Sequence, residues 1–192
     1  MHKGRMEAFT DGVIAVIITI MVLELKIPQA PTWHALLADT PVFLSYVLSF
    51  IYVGIYWNNH HHMLQAVSHV NGRVLWANLF FVFWLSLLPF ATSWLNEAHP
   101  VPSSIPTAVY GCVLLFAALA WIPLLHTLIA ANGGEHSKLD TAGRGNWKIV
   151  VSPIGYVIGI ALAFFEPIVS CVIYALIAAI WFIPDRRIES RI

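Results

Sequence analysis

Apolar residues fill this chain in long blocks parted by short polar seams. Cutting at proline, glycine and charge clusters leaves apolar segments near 8–27, 41–63, 73–95, 105–131, 148–165 and 167–184. Each is close to the roughly 20 residues that an α-helix needs to cross a bilayer. The pattern therefore predicts an all-α integral membrane protein, a single domain over 1–192 with six transmembrane helices. Only Glu166 and Pro167 part the last two blocks, which predicts a tight helical hairpin. The longest polar connection, 132–146, is glycine-rich and leaves no room for a soluble domain. No internal repeat marks two inverted halves, so a symmetric arrangement would have to come from several copies of the chain.

The charges give the orientation. With the N-terminus in the cytoplasm, Lys3, Arg5, Arg73, Lys138, Arg144, Lys148, Arg186, Arg187 and Arg191 fall inside and only Lys26 outside. That is the positive-inside bias, and an even number of spans puts both termini in the cytoplasm. Trp33, Trp57, Trp94, Trp147 and Trp181 fall near predicted helix ends, where an aromatic belt would sit.

Composition narrows the function classes. Of 192 residues, 59% are hydrophobic and 10% charged, against about 25% charged in soluble domains. The formal net charge is zero, so nothing points to nucleic acid as a partner. Cys112 and Cys171 lie in apolar runs and read as small buried hydrophobes rather than a disulfide. A cleaved signal is not expected, because Glu24, Lys26 and Pro28 follow the first apolar run instead of a small-residue cleavage pattern. Hydrolase motifs and phosphate-binding loops are missing from the sequence, so an enzyme is not expected.

The first span carries two acids, Asp11 near its start and Glu24 at its end. Carboxylates in hydrocarbon are costly and are retained where they face protein or water. At about 100° per residue, Phe9, Gly12, Val16, Ile20 and Leu23 fall within roughly 40° of one line, with Val13 and Thr19 beside it. Asp11 lies about 140° from Val16 and Glu24 about 80° away. On pattern alone this apolar ladder reads first as lipid or core packing, which accounts for most such stripes in membrane helices.

The run "RMEAFTDGVIAVIITIMVLEL" resembles the first helix of the transmembrane protein 175 family of potassium channels, through Arg5, Phe9-Thr10-Asp11 and Leu23-Glu24. Thr10 stands where that family usually has serine, which keeps the hydroxyl. "YWNNHHHML" is similar to the family's Trp-x-x-His-His segment, at Trp57, His60 and His61. "WANLFFVFWLSLLPF" resembles its third helix, with Trp76, Asn78, Leu88, Pro89 and Phe90 at the matching positions. Prokaryotic members have one six-helix unit per chain and assemble as homotetramers, which this length fits and which implies a bacterial inner membrane.

The resemblance implies a cation channel modestly selective for potassium over sodium, needing no cofactor beyond the permeating K+ ions. Its pore would be lined by helix 1 with apolar rings at Val16, Ile20 and Leu23, a Thr19 hydroxyl layer, and Phe9, Gly12 and Glu24 at the mouths. Thr19 has an equal alternative, a back-bond to the carbonyl four residues earlier. Arg5, Thr10, Asp11, Trp57, His60, His61 and Asn78 would form a polar network behind the pore, because polar groups in a membrane need partners. The His60-His61-His62 triplet does not read as a metal site, since adjacent helical residues point about 100° apart. A different reading is a proton-coupled transporter using Asp11, Glu24 and the histidines.

Overall fold

The computed structural model describes residues 3–97, 101–134, 139 and 147–182. Its elements are α1 (Lys3–Leu23), α2 (Trp33–Ala38), α3 (Thr40–Gln65), α4 (Gly72–Ser86), α5 (Leu88–Glu97), α6 (Ser104–Ala131), α7 (Lys148–Leu162) and α8 (Pro167–Phe182). Among the described residues α1, α3, α6 and the α4–α5 rod are long and apolar enough to cross a membrane, while α7 and α8 are shorter apolar helices. Lys138, Arg144, Arg186, Arg187 and Arg191 lie outside the described residues, as does most of the 132–146 connection.

Local chemistry sets the boundaries. α3 begins behind Asp39 with a proline in its first turn, where the missing N–H has no helical partner to lose. α4 begins at Asn71, whose side chain accepts the Arg73 and Val74 amides at 3.0 and 3.1 Å. Asn132 closes α6, and Gly133 and Gly134 follow at φ 104° and 62°, a left-handed conformation that glycine adopts without steric cost. The Asn132 side chain also accepts the Ser68 and His69 amides and donates to the His69 and Leu128 carbonyls, clamping the α3–α4 turn onto α6.

Two expectations need correction, and one element is new. The first helix covers 3–23 rather than 8–27, because its polar N-terminal turn finds partners on α3 and its C-terminal end frays ahead of Pro28. The third block is not one uninterrupted helix: Leu87 separates α4 from α5, its amide reaching back three residues to Trp84. Pro89 is the cause, since it lacks an N–H and its ring crowds the carbonyl four residues earlier. The connection after the first helix contains α2, begun by the Thr32 hydroxyl accepting the Ala35 amide at 3.2 Å.

α6 is the hub, packed against α4, α5, α7 and α8. Tyr110, Leu114, Ala117, Ala120, Leu124 and Leu128 are fully buried along it. Gly111 on α6 and Gly159 on α7 let both helices close on Tyr174 of α8, since a Cβ at either would collide with its ring or hydroxyl. Several buried hydroxyls find partners across helices: Ser49 meets Thr92 at 2.7 Å and Tyr110 at 3.0 Å, and Tyr52 donates to the Tyr174 carbonyl at 2.6 Å. Where hydrocarbon replaces water, such pairing is what permits polar atoms inside a bundle.

Candidate functional site

α1 buries one side only. Met6, Thr10, Ile14, Ile17 and Met21 face the bundle, the spacing of a single helical stripe. Along its N-terminal half this side carries polar ties rather than apolar contacts alone. Lys3 donates from Nζ to the Leu64 and Val67 carbonyls at 3.1 and 3.0 Å, the end of α3 where unpaired carbonyls attract a cation. His61 Nδ1 meets Glu7 Oε1 at 3.1 Å, and the Gln65 amide meets His61 Nε2 at 2.8 Å. Donation from Nδ1 to Glu7 and acceptance from Gln65 at Nε2 is the arrangement that satisfies both ring nitrogens.

One turn further out, Trp57 donates its indole N–H to Asp11 Oδ1 at 2.9 Å and stacks on His61. Asn78 of α4 donates to the Thr10 hydroxyl at 2.9 Å, and its carbonyl oxygen accepts from His60 Nε2 at 2.9 Å. His60, Thr10 and Asn78 are all buried. Just past its C-terminal end the Ser93 hydroxyl of α5 donates to Glu24 Oε2 at 2.9 Å. The Asp11 contact thus lies within one chain.

The opposite side of α1 has no cover. Phe9, Gly12, Val16, Thr19, Ile20 and Leu23 are all exposed, Val16 to 53% and Leu23 to 80%. Nothing stands within 4 Å of a Cβ placed on Gly12. The Thr19 hydroxyl donates to the Val16 carbonyl at 2.8 Å, three residues back, which leaves its oxygen lone pairs on the open side.

Sequence reasoning named most of the polar residues that meet here and missed several. Lys3, Glu7, Gln65 and Ser93 were not among the candidates, although Lys3, Glu7 and Asp11 recur every fourth residue opposite the apolar ladder. That spacing is the signal that could have found them. Arg5 needs correction: it is exposed and contributes no hydrogen bond to this group among the described residues. Its position on the wheel explains this, since Arg5 shares the open line with Phe9 and Val16.

Fold and site together define a multi-pass helical membrane protein whose first helix is tied on one face and bare on the other. The family model described as endosomal/lysosomal potassium channel TMEM175 matches residues 5–89. A protein from Chryseobacterium sp. (strain P1-3), named a potassium channel, is 52% identical over 190 residues, 99% of this chain and 97% of its own length. Another of that description, from Streptomyces collinus, is 32% identical over 92% of this chain and 90% of its own. The crystal structure of a lysosomal potassium-selective channel TMEM175 homolog from Chamaesiphon minutus superposes with a TM-score of 0.81 at 26% identity, covering 96% of this chain and 97% of that one. The chain belongs to the TMEM175 family, whose members are ion channels and not enzymes.

Proposed function

We propose that this chain is a potassium-selective cation channel of a bacterial inner membrane, formed by four copies that turn the bare face of α1 towards a common axis. The observation that carries the reading is the division of α1: polar ties to α3, α4 and α5 on one side, an uncovered apolar ladder on the other. Each copy would be one unit crossing six times, through α1, α3, the α4–α5 rod, α6, α7 and α8, with both termini in the cytoplasm. The potassium channels among its relatives support the ion.

The sequence holds no Thr-Val-Gly-Tyr-Gly loop to replace an ion's hydration with backbone carbonyls. Discrimination would arise at rings of Val16, Ile20 and Leu23, which make an ion shed water without compensation. Potassium releases water more readily than sodium, so the preference is real and modest. Thr19 would add a ring of hydroxyl oxygens beside the Val16 ring, and Glu24 a ring of carboxylates at the outer mouth. Asp11, Trp57, Thr10, Asn78, His60 and His61 act behind the ladder, fixing the angle at which α1 presents it.

The test is potassium flux in protein-loaded and empty liposomes under a potassium gradient, with no proton gradient. A channel passes potassium down that gradient alone. Flux that appears only when a proton gradient is imposed would replace this reading with coupled transport.

A further inference from the structure

α2 is too short to be stable in water by itself, yet its own subunit hardly covers it. Only Ala35 is half-buried, while Trp33 is 81% and Leu37 68% exposed, with Leu36 exposed beside them. Residues 33, 36 and 37 share one helical face, and this face carries all the large apolar side chains of α2. Ile27, on the strand-like approach from α1, is also exposed. The patch continues onto α3, where Phe43, Leu44, Val47 and Phe50 are exposed and the Phe43, Tyr46 and Phe50 rings form a ladder.

The geometry points to the headgroup and acyl boundary of the outer leaflet as the partner of this face. α2 joins α3 through Asp39 alone, so its depth is that of the outer end of a membrane-crossing helix. Its apolar side runs on into the exposed apolar side chains at the start of α3, Phe43 and Leu44. Tryptophan prefers that depth, where its ring is apolar and its N–H stays wet. A short amphipathic helix lying flat there gains burial that its own subunit does not provide. α2 is then a float that sets how deep the α1 and α3 outer ends ride.

The experiment places a nitroxide at Leu36→Cys and, separately, at His34→Cys, about 160° apart on the helix, in the full chain, reconstituted into phosphatidylcholine and phosphatidylglycerol liposomes, with the parent's signal subtracted. Collision with oxygen should exceed collision with a water-soluble nickel chelate at 36, and the order should invert at 34. Nickel dominance at both positions would overturn the proposal in favour of a solvated loop. A label at 36 reached by neither quencher would overturn it in favour of a second protein copy. Both positions are exposed, so the labels disturb no packing. As an independent readout, Trp33→Phe should lower the share of fluorescence quenched by lipids brominated near the headgroup; quenching equal to the parent's would count against α2 as a membrane contact.

Discussion

α1 and α6 are both apolar helices long enough to cross a membrane, and they are held in opposite ways. α6 is packed on several sides, by α4, α5, α7 and α8, with small residues such as Gly111, Ala117 and Ala120 letting neighbours approach. It even tolerates Pro123 in its interior, where the Thr127 hydroxyl donates back to the Pro123 carbonyl at 2.8 Å. α1 is packed on one side and secured there by Lys3, Glu7, Thr10, Asp11 and Glu24. Close packing makes a helix part of the subunit. Polar ties on one face fix a helix while leaving its other face free for something outside the subunit.

The strongest way to break this comparison is to wet the free face. Val16→Asn should raise conductance and remove most discrimination between potassium and sodium, because water could then accompany either ion. Val22, about 120° or more around the helix from Val16 and Ile20, is exposed too, yet Val22→Asn should leave both properties unchanged. Planar-bilayer recordings decide it: equal effects at the two positions, or none at Val16, rule out this pore face.

The next comparison is between two glycines. Gly111→Ala puts a methyl into the Tyr174 hydroxyl and should destabilise the subunit by about 1–3 kcal/mol. Gly12→Ala meets nothing and should leave stability unchanged or higher by about 0.5–1 kcal/mol. Thermal unfolding in detergent reads both, and matching losses would mean that α1 is as enclosed as α6.

Removing one polar tie should have a smaller effect. Asp11→Ala releases the Trp57 indole and should cost about 1 kcal/mol, seen as a lower yield of assembled protein after extraction with permeation intact in what remains. Normal yield with abolished current would move Asp11 into the ion path. The smallest effect is expected from Thr19→Val, which keeps shape and removes the hydroxyl. The potassium-to-sodium permeability ratio should fall while single-channel current persists; an unshifted reversal potential in mixed ions would leave Thr19 as a back-bonded residue only.

Among the described residues hydropathy located the four long apolar helices, because in a membrane the solvent itself selects for continuous apolar runs. It missed α2, whose six residues are too few to form a span, and the break at Leu87, which a hydrophobic window passes over and which Pro89 imposes through backbone sterics. Asp11 stood out in the sequence because carboxylates are rare in apolar runs, whereas Thr10, Trp57, His60, His61 and Asn78 were picked out by the resemblance to the family's motifs. Lys3 did not, since a lysine before a span reads simply as an orientation signal; its bonds to Leu64 and Val67 join residues more than sixty positions apart. The ladder on α1 was legible as a stripe, and periodicity tells which positions share a side without telling what stands opposite.

The Lys3 bonds have a mechanical meaning. α1 is fastened to the last carbonyls of α3 at one end and to Ser93 of α5 at the other. A rod fastened at both ends cannot slide along its axis without breaking a fastening. Its N-terminal half also meets α3 through Glu7 and Asp11, so those two helices are joined at two further points. In the proposed assembly, the bore at Val16 would depend on how four such helix pairs lean.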